Sequence, residues 1–154
     1  MGAFADAVNE HLRERLASLA PAFEWETEHY VAGTPVDLVG TASARTVCVE
    51  LEWRRADPAD NTAKLFRHLV EETLDAPSLV VCQVFTGYYD LVSGDVSSKR
   101  KNAEFVGRVA AERFAHLVYH PVEFDMTPPK RGASRPENWR DVADEVAENI
   151  VRLL

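Results

Sequence analysis

Thiols are nearly missing from this chain: 154 residues carry two cysteines, Cys48 and Cys82. They lack the paired C-x-x-C spacing of a zinc site, and each falls inside a β-rich run, so they read as small buried apolar side chains. A disulfide between neighbouring strands is the less favoured alternative inside a cell. Also missing is any run of about 18 apolar residues, so no transmembrane helix is expected. The first residues, Met1-Gly2-Ala3-Phe4-Ala5-Asp6, have neither the basic start nor the apolar core of a signal peptide, and a cytoplasmic location is the expectation. No phosphate-binding glycine loop and no nucleophile-elbow serine occur. Among five histidines, only His116 and His120 share a ligand-like separation. They straddle an expected helix end before Pro121, so zinc chemistry is not expected.

Bases are in deficit too, 17 Lys and Arg against 25 Asp and Glu, for a net charge of −8. That balance argues against a nucleic-acid partner. The distribution weakens the argument, because acids concentrate in the N-terminal third and the last helix. Bases gather in Lys99-Arg100-Lys101 and Lys130-Arg131.

Periodicity supplies the organisation. Phe4, Val8, Leu12, Leu16 and Leu19 recur at helical spacing before Pro21. Phe23 to Val31 alternates as a half-exposed strand. Gly33-Thr34-Pro35 turns the chain into a strand carrying Asp37, and a strand carrying Glu50 follows. Asp57-Pro58-Ala59-Asp60 is turn chemistry, with Asp60 or Asn61 able to cap a helix running to about Leu74. That helix is expected to bury Leu65, Phe66, Leu69 and Val70 and to leave Lys64, Arg67, His68 and Glu71 polar. Ser78 to Phe85 is nearly continuous apolar, as for a strand buried on both faces. A helix from about Ser98 to His116, a strand near Leu117 to Phe124 and a last helix beyond Pro136 complete the chain. The stripe Trp139, Val142, Val146, Ile150 and Leu153 on that helix reads as core packing, with a two-fold interface as the alternative. The order is α-β-β-β-α-β-α-β-α, in one domain spanning residues 1–154.

Two strand-like runs, Val36-Asp37-Leu38-Val39 and Val47-Cys48-Val49-Glu50-Leu51-Glu52-Trp53, carry acids where a buried strand should be apolar. Alternation puts Glu50 and Glu52 on one face. With Thr41-Ala42-Ser43-Ala44 as the turn, Asp37 lies opposite Cys48 and has Glu50 as its diagonal neighbour, at roughly 7 Å between β-carbons. Three converging carboxylates repel one another without a cation, and a hard divalent ion such as Mg²⁺ fits them.

The element order resembles the core of the PD-(D/E)XK, or restriction-endonuclease-like, superfamily. Its pattern is a Pro-Asp-type acid on the second strand and an acid-x-Lys on the third. Pro35-Val36-Asp37 supplies the first with one residue inserted, and Glu50-Leu51-Glu52 the second, with Glu where Lys is usual. The segment Val49 to Pro58 is similar to type II restriction enzymes carrying the acid-x-Glu variant. The resemblance implies an α/β restriction-endonuclease-like fold, with a central mixed sheet of four to five strands flanked by helices. It also implies Mg²⁺-dependent (or Mn²⁺-dependent) hydrolysis of DNA. Asp37 and Glu50 would ligate the ion, and Glu52 would orient or deprotonate the attacking water or serve as a third ligand. Lys64 would be a relocated electrostatic stabiliser, and Glu10 or Glu14 a further acid from the first helix. Cutting both strands of a duplex would call for a homodimer.

Phosphate contacts would come from Arg54, Arg55, Lys99, Arg100, Lys101, Lys130 and Arg131, with Arg135 in the same Pro-Gly loop. Bases at the start of a helix oppose its dipole, which lends some weight to a phosphate-facing role for the 99–101 group, although a solvated loop is the favoured reading. The competing functional class is a non-catalytic protein of the same fold, in which the acid cluster is a relic and the chain acts as an interaction module.

Overall fold

The computed structural model describes residues 2–31, 33–71 and 78–154. Its organising element is a five-stranded mixed sheet with strands in sequence order: β1 (Glu24–Val31), β2 (Thr34–Ala42), β3 (Arg45–Glu52), β4 (Leu79–Thr86) and β5 (Leu117–Phe124). The first three form an antiparallel meander, and β3, β4 and β5 run parallel. Parallel neighbours cannot be joined by a hairpin. Here α2 (Pro58–Glu71) and α3 (Ser98–Arg113) make the two crossovers.

Strand alternation sorts the core into two layers. Val47, Val49 and Leu51 of β3 face Val8, Leu12 and Leu16 of α1 (Ala3–Leu19) and Val146 and Ile150 of α4 (Trp139–Leu153). Val39, Cys48 and Val81 face the other way, towards Leu65 and Phe66 of α2 and Ala110 of α3. The result is an α/β/α sandwich. β4 lies at the centre of the parallel part and is buried at every position, as its apolar run predicts. Both cysteines are buried and free.

The expected stripes hold with small changes. Trp139, Val142, Val146 and Ile150 are buried in the core, whereas Leu153 and Leu19 at the helix ends are exposed. The third helix stops at Arg113 rather than His116, because Phe114 takes extended backbone angles before β5. The side chains of Leu69, Val70 and Glu71, and the expected run of α2 to Leu74, lie outside the described residues. Among the described residues, no helix is long and apolar enough to cross a membrane.

One expectation is corrected. The β2–β3 turn is Ser43-Ala44 alone, and Arg45 pairs with Ala42, so Cys48 faces Val39 and not Asp37. The two-residue connection is the shortest that an antiparallel pair accepts. At the start of β3, the Arg45 guanidinium bonds the Leu154 carbonyl.

Candidate functional site

The corrected register stops at Leu38–Val49, one residue short of Asp37 and Glu50. On its other side, Asp37 has no pair either: the β1–β2 ladder passes from Thr27–Leu38 to His29–Val36, and Glu28 between them takes a φ of 53°. A non-glycine residue there stores on the order of 1–3 kcal/mol of strain. Asp37 therefore sits where both ladders open. Its Oδ2 accepts the Leu51 amide at 2.9 Å, replacing a missing strand partner with a carboxylate.

Glu50 and Glu52 follow on the same face of β3, and the chain then bends out to Arg55. The Arg55 guanidinium reaches all three acids. Nη2 lies 3.5 Å from Asp37 Oδ2 and 4.0 Å from Glu50 Oε2, and Nε lies 3.5 Å from Glu52 Oε2. The backbone of Arg55 is itself clamped, since the buried Tyr89 hydroxyl accepts its N–H at 3.0 Å and lies 3.2 Å from its carbonyl as donor. A short 3-10 turn, Gly87–Tyr89, places that tyrosine directly after β4.

Glu52 is completely buried. Gln83 Nε2 donates to its Oε1 at 2.9 Å and to Thr62 Oγ1 at 2.8 Å, and Tyr119 donates to Gln83 Oε1 at 2.7 Å. Glu52 Oε2 has no hydrogen-bond partner among the described residues. Such a network fixes an orientation, and its unsatisfied oxygen is the costly exception.

Electrostatics follow from burial. Desolvation raises the Asp37 carboxyl, against the Leu51 amide and Arg55, which lower it. Glu50 is held well above the usual range by burial and then by the charge of Asp37. Burial pushes Glu52 up to about 7, against the Gln83 bond and Arg55. The acids thus favour a proton or a further cation.

Asp37, Glu50, Arg55, Asn61 and Lys64 line one cleft of about 360 Å³, and Glu52 is not part of its lining. Lys64 reaches the cleft, with its ammonium 2.6 Å from Asp60 Oδ2, one turn earlier on α2. Glu10 and Glu14 both engage Arg13 on α1, in the opposite layer, and neither lines this cleft. Among the described residues, no group of three or more His, Cys, Asp or Glu is arranged to hold a metal ion.

The bases separate into groups. Arg54, Lys130, Arg131 and Arg135 share a second cleft of about 610 Å³. Arg100 is buried, donating to Glu104 at 2.8 Å and Glu123 at 3.3 Å under the Phe85 ring. Lys101 pairs with Asp95, and Lys99 stands exposed beside it. Sequence reading placed Arg55 among phosphate contacts and passed over Gln83, Thr62, Tyr89 and Tyr119. Gln83 had a visible signal, a lone polar residue within an apolar strand. Tyr89 had none.

No protein-family model matches this chain, and no curated protein matches it in sequence.

Proposed function

We propose that the chain is a Mg²⁺-dependent (or Mn²⁺-dependent) nuclease of the restriction-endonuclease-like fold, hydrolysing DNA phosphodiester bonds at the Asp37–Glu50 cleft. The observation that carries this reading is the convergence of three carboxylates from two strands on one guanidinium, with Asp37, Glu50 and that guanidinium lining a cleft and Glu52 buried behind them. The αβββαβ order and mixed sheet agree with it.

Carboxylate oxygens are the donors that a hard divalent ion takes, with waters completing its shell. Asp37 and Glu50 offer carboxylate oxygens to the cleft, and Glu52 keeps a buried oxygen without a hydrogen bond. Asp37 and Glu50 would hold the ion, with Glu52 as the inner third acid. When bound, such an ion lowers the pKa of a water and neutralises charge developing on phosphoryl oxygens. The rest falls to the chain. Glu52, oriented by Gln83 and titrating near neutral pH, is suited to accept a proton. Arg55 supplies the cation that the missing strand lysine would have given, positioned by Tyr89. Two copies would be required to cut both strands of a duplex.

The second reading, a non-catalytic interaction module, draws on the same ion pairs: Arg55 already compensates the acids. Plasmid incubated with Mg²⁺ or Mn²⁺ at low and high salt decides between them. Nicking by the wild type and none by Glu50→Gln is the expected result. No nicking by either protein, or equal nicking by both, ends the nuclease assignment at this cleft.

A further inference from the structure

In a chain with a net charge of −8, four cations share a cleft whose lining, among the described residues, contains no carboxylate. None of Arg54, Lys130, Arg131 and Arg135 forms an ion pair among the described residues. Two of them are pre-set by uncharged partners. Arg54 donates to the Pro129 carbonyl at 3.2 Å and lies over the Tyr88 ring at 5.2 Å. Arg135 donates to the Ala3 carbonyl at 3.3 Å and lies over Phe4 at 4.9 Å. Guanidiniums held by ring faces and carbonyls keep their full charge and lose little freedom on binding an anion. The remaining wall includes Trp53, partly exposed and edge-on to Phe4.

The position matters as much as the charge. Arg54 is two residues beyond Glu52, so their Cα atoms are separated by at most roughly 7 Å. Trp53 packs in the α1–α4 layer, whereas Glu52 accepts from Gln83, which also donates to Thr62 of α2, so the two clefts flank the same end of β3 on opposite sheet faces. A polyanion crossing the end of β3 would touch both.

We propose that this basic cleft is a binding surface for a nucleic-acid strand, gripping sugar-phosphate through Arg54, Lys130, Arg131 and Arg135 without any metal. It rests on the nuclease reading for what happens after contact, not for the contact itself. Repeated phosphates match several cations in one cleft that form no ion pair among the described residues, and contacts of this kind position a strand without reading its bases.

The test is fluorescence anisotropy of a labelled DNA oligonucleotide, single-stranded and duplex, in EDTA across a salt series. Lys130→Glu with Arg131→Glu is expected to weaken binding about tenfold or more and to flatten the salt slope by roughly 1.5. Arg67→Glu with Arg113→Glu makes the same charge change on exposed positions of α2 and α3, and is expected to retain binding. Equal losses in both double variants, or no wild-type binding at low salt, overturn the proposal. Tighter binding to anionic vesicles or a polyglutamate peptide than to DNA also overturns it. The two readings separate cleanly. Cleft-dependent binding by a protein that never cleaves keeps the cleft and ends the nuclease. Cleavage and affinity untouched by Lys130→Glu with Arg131→Glu keep the nuclease and end the cleft.

Discussion

Asp37 and Leu51 are joined by a bond that belongs to no ladder: the carboxylate of one strand accepts the amide of the next at 2.9 Å, where the β2–β3 pairing has already stopped. The acid is thereby part of the sheet's hydrogen bonding and part of the cleft wall at once. Asp37→Asn keeps an acceptor for Leu51 and removes a charge beside Glu50. The metal-free variant is expected to match the wild type in stability to about 1 kcal/mol, whereas Asp37→Ala, which orphans the amide, loses about 1–3 kcal/mol. Both are expected to lose most of the Mg²⁺-induced rise in melting temperature. Thermal melts with and without Mg²⁺ check this, and a full metal response in either variant removes Asp37 from the ligand set.

Stability is expected to fall with rising pH in a window that Glu52 sets. Its carboxyl titrates at about 7 in the folded protein against an ordinary value of 4.5, because burial disfavours the charge. Between those values the folded state holds a proton that the unfolded state has released, so stability is greatest below the lower value and declines as pH climbs through the upper one. The contribution is on the order of 3 kcal/mol, and Glu50 acts in the same direction. Urea unfolding at about pH 5 and about pH 8 measures it, and Glu52→Gln is expected to flatten the difference. An unchanged slope in that variant refutes the assignment.

Arg55 and Lys64 divide differently from what the resemblance implies, since the guanidinium reaches all three acids while the Lys64 ammonium bonds Asp60. Arg55→Met leaves the acids uncompensated. Because the Arg55 side chain is one-third exposed, the expected cost is only about 1–2 kcal/mol, with a larger stabilisation by Mg²⁺ than the wild type shows. Cleavage is expected to vanish in Arg55→Met and in Glu52→Gln and to persist in Lys64→Met. A dead Lys64→Met beside an active Arg55→Met would return the stabilising role to Lys64.

The Gln83 network depends on a glycine. A β-carbon on Gly107 would lie 2.3 Å from the Tyr119 ring, and that ring carries the hydroxyl donating to Gln83. Gly107→Ala is expected to cost about 1–3 kcal/mol by overpacking. Tyr119→Phe is expected to cost about 1 kcal/mol through the orphaned Gln83 carbonyl. Denaturant midpoints measure both, and a neutral Gly107→Ala would mean that the ring can move without consequence.

Element order was legible because its signals are strong and local: the unbroken apolar run of β4 marks a strand and the stripe of α4 marks a helix, whatever that stripe packs against. The register was not. Ser43 and Ala44 lack the Gly, Asn or Asp that marks a tight turn, so loop length could not be read from them. Glu50 and Glu52 share a face by strand alternation alone, which needs no tertiary knowledge. The direction of Arg55 depends on the bend after β3 and on Tyr89 from beyond β4, neither of which leaves a mark in residues 50–55. Arg100 is a similar case. Its pairing with Glu104 follows from helical spacing, but Glu123 and Phe85 arrive from separate strands.

The clamp of Tyr89 on Arg55 gives the cleft a history as well as a geometry. β1, β2 and β3 are joined by short turns and can pair early, before the costlier closure of the α2 crossover brings β4 alongside. On that order Asp37 and Glu50 would meet before Tyr89 can clamp Arg55 beside them. The acidic half of the cleft is expected to assemble first and its cation to lock last, so folding at low ionic strength is expected to be slower than folding in salt.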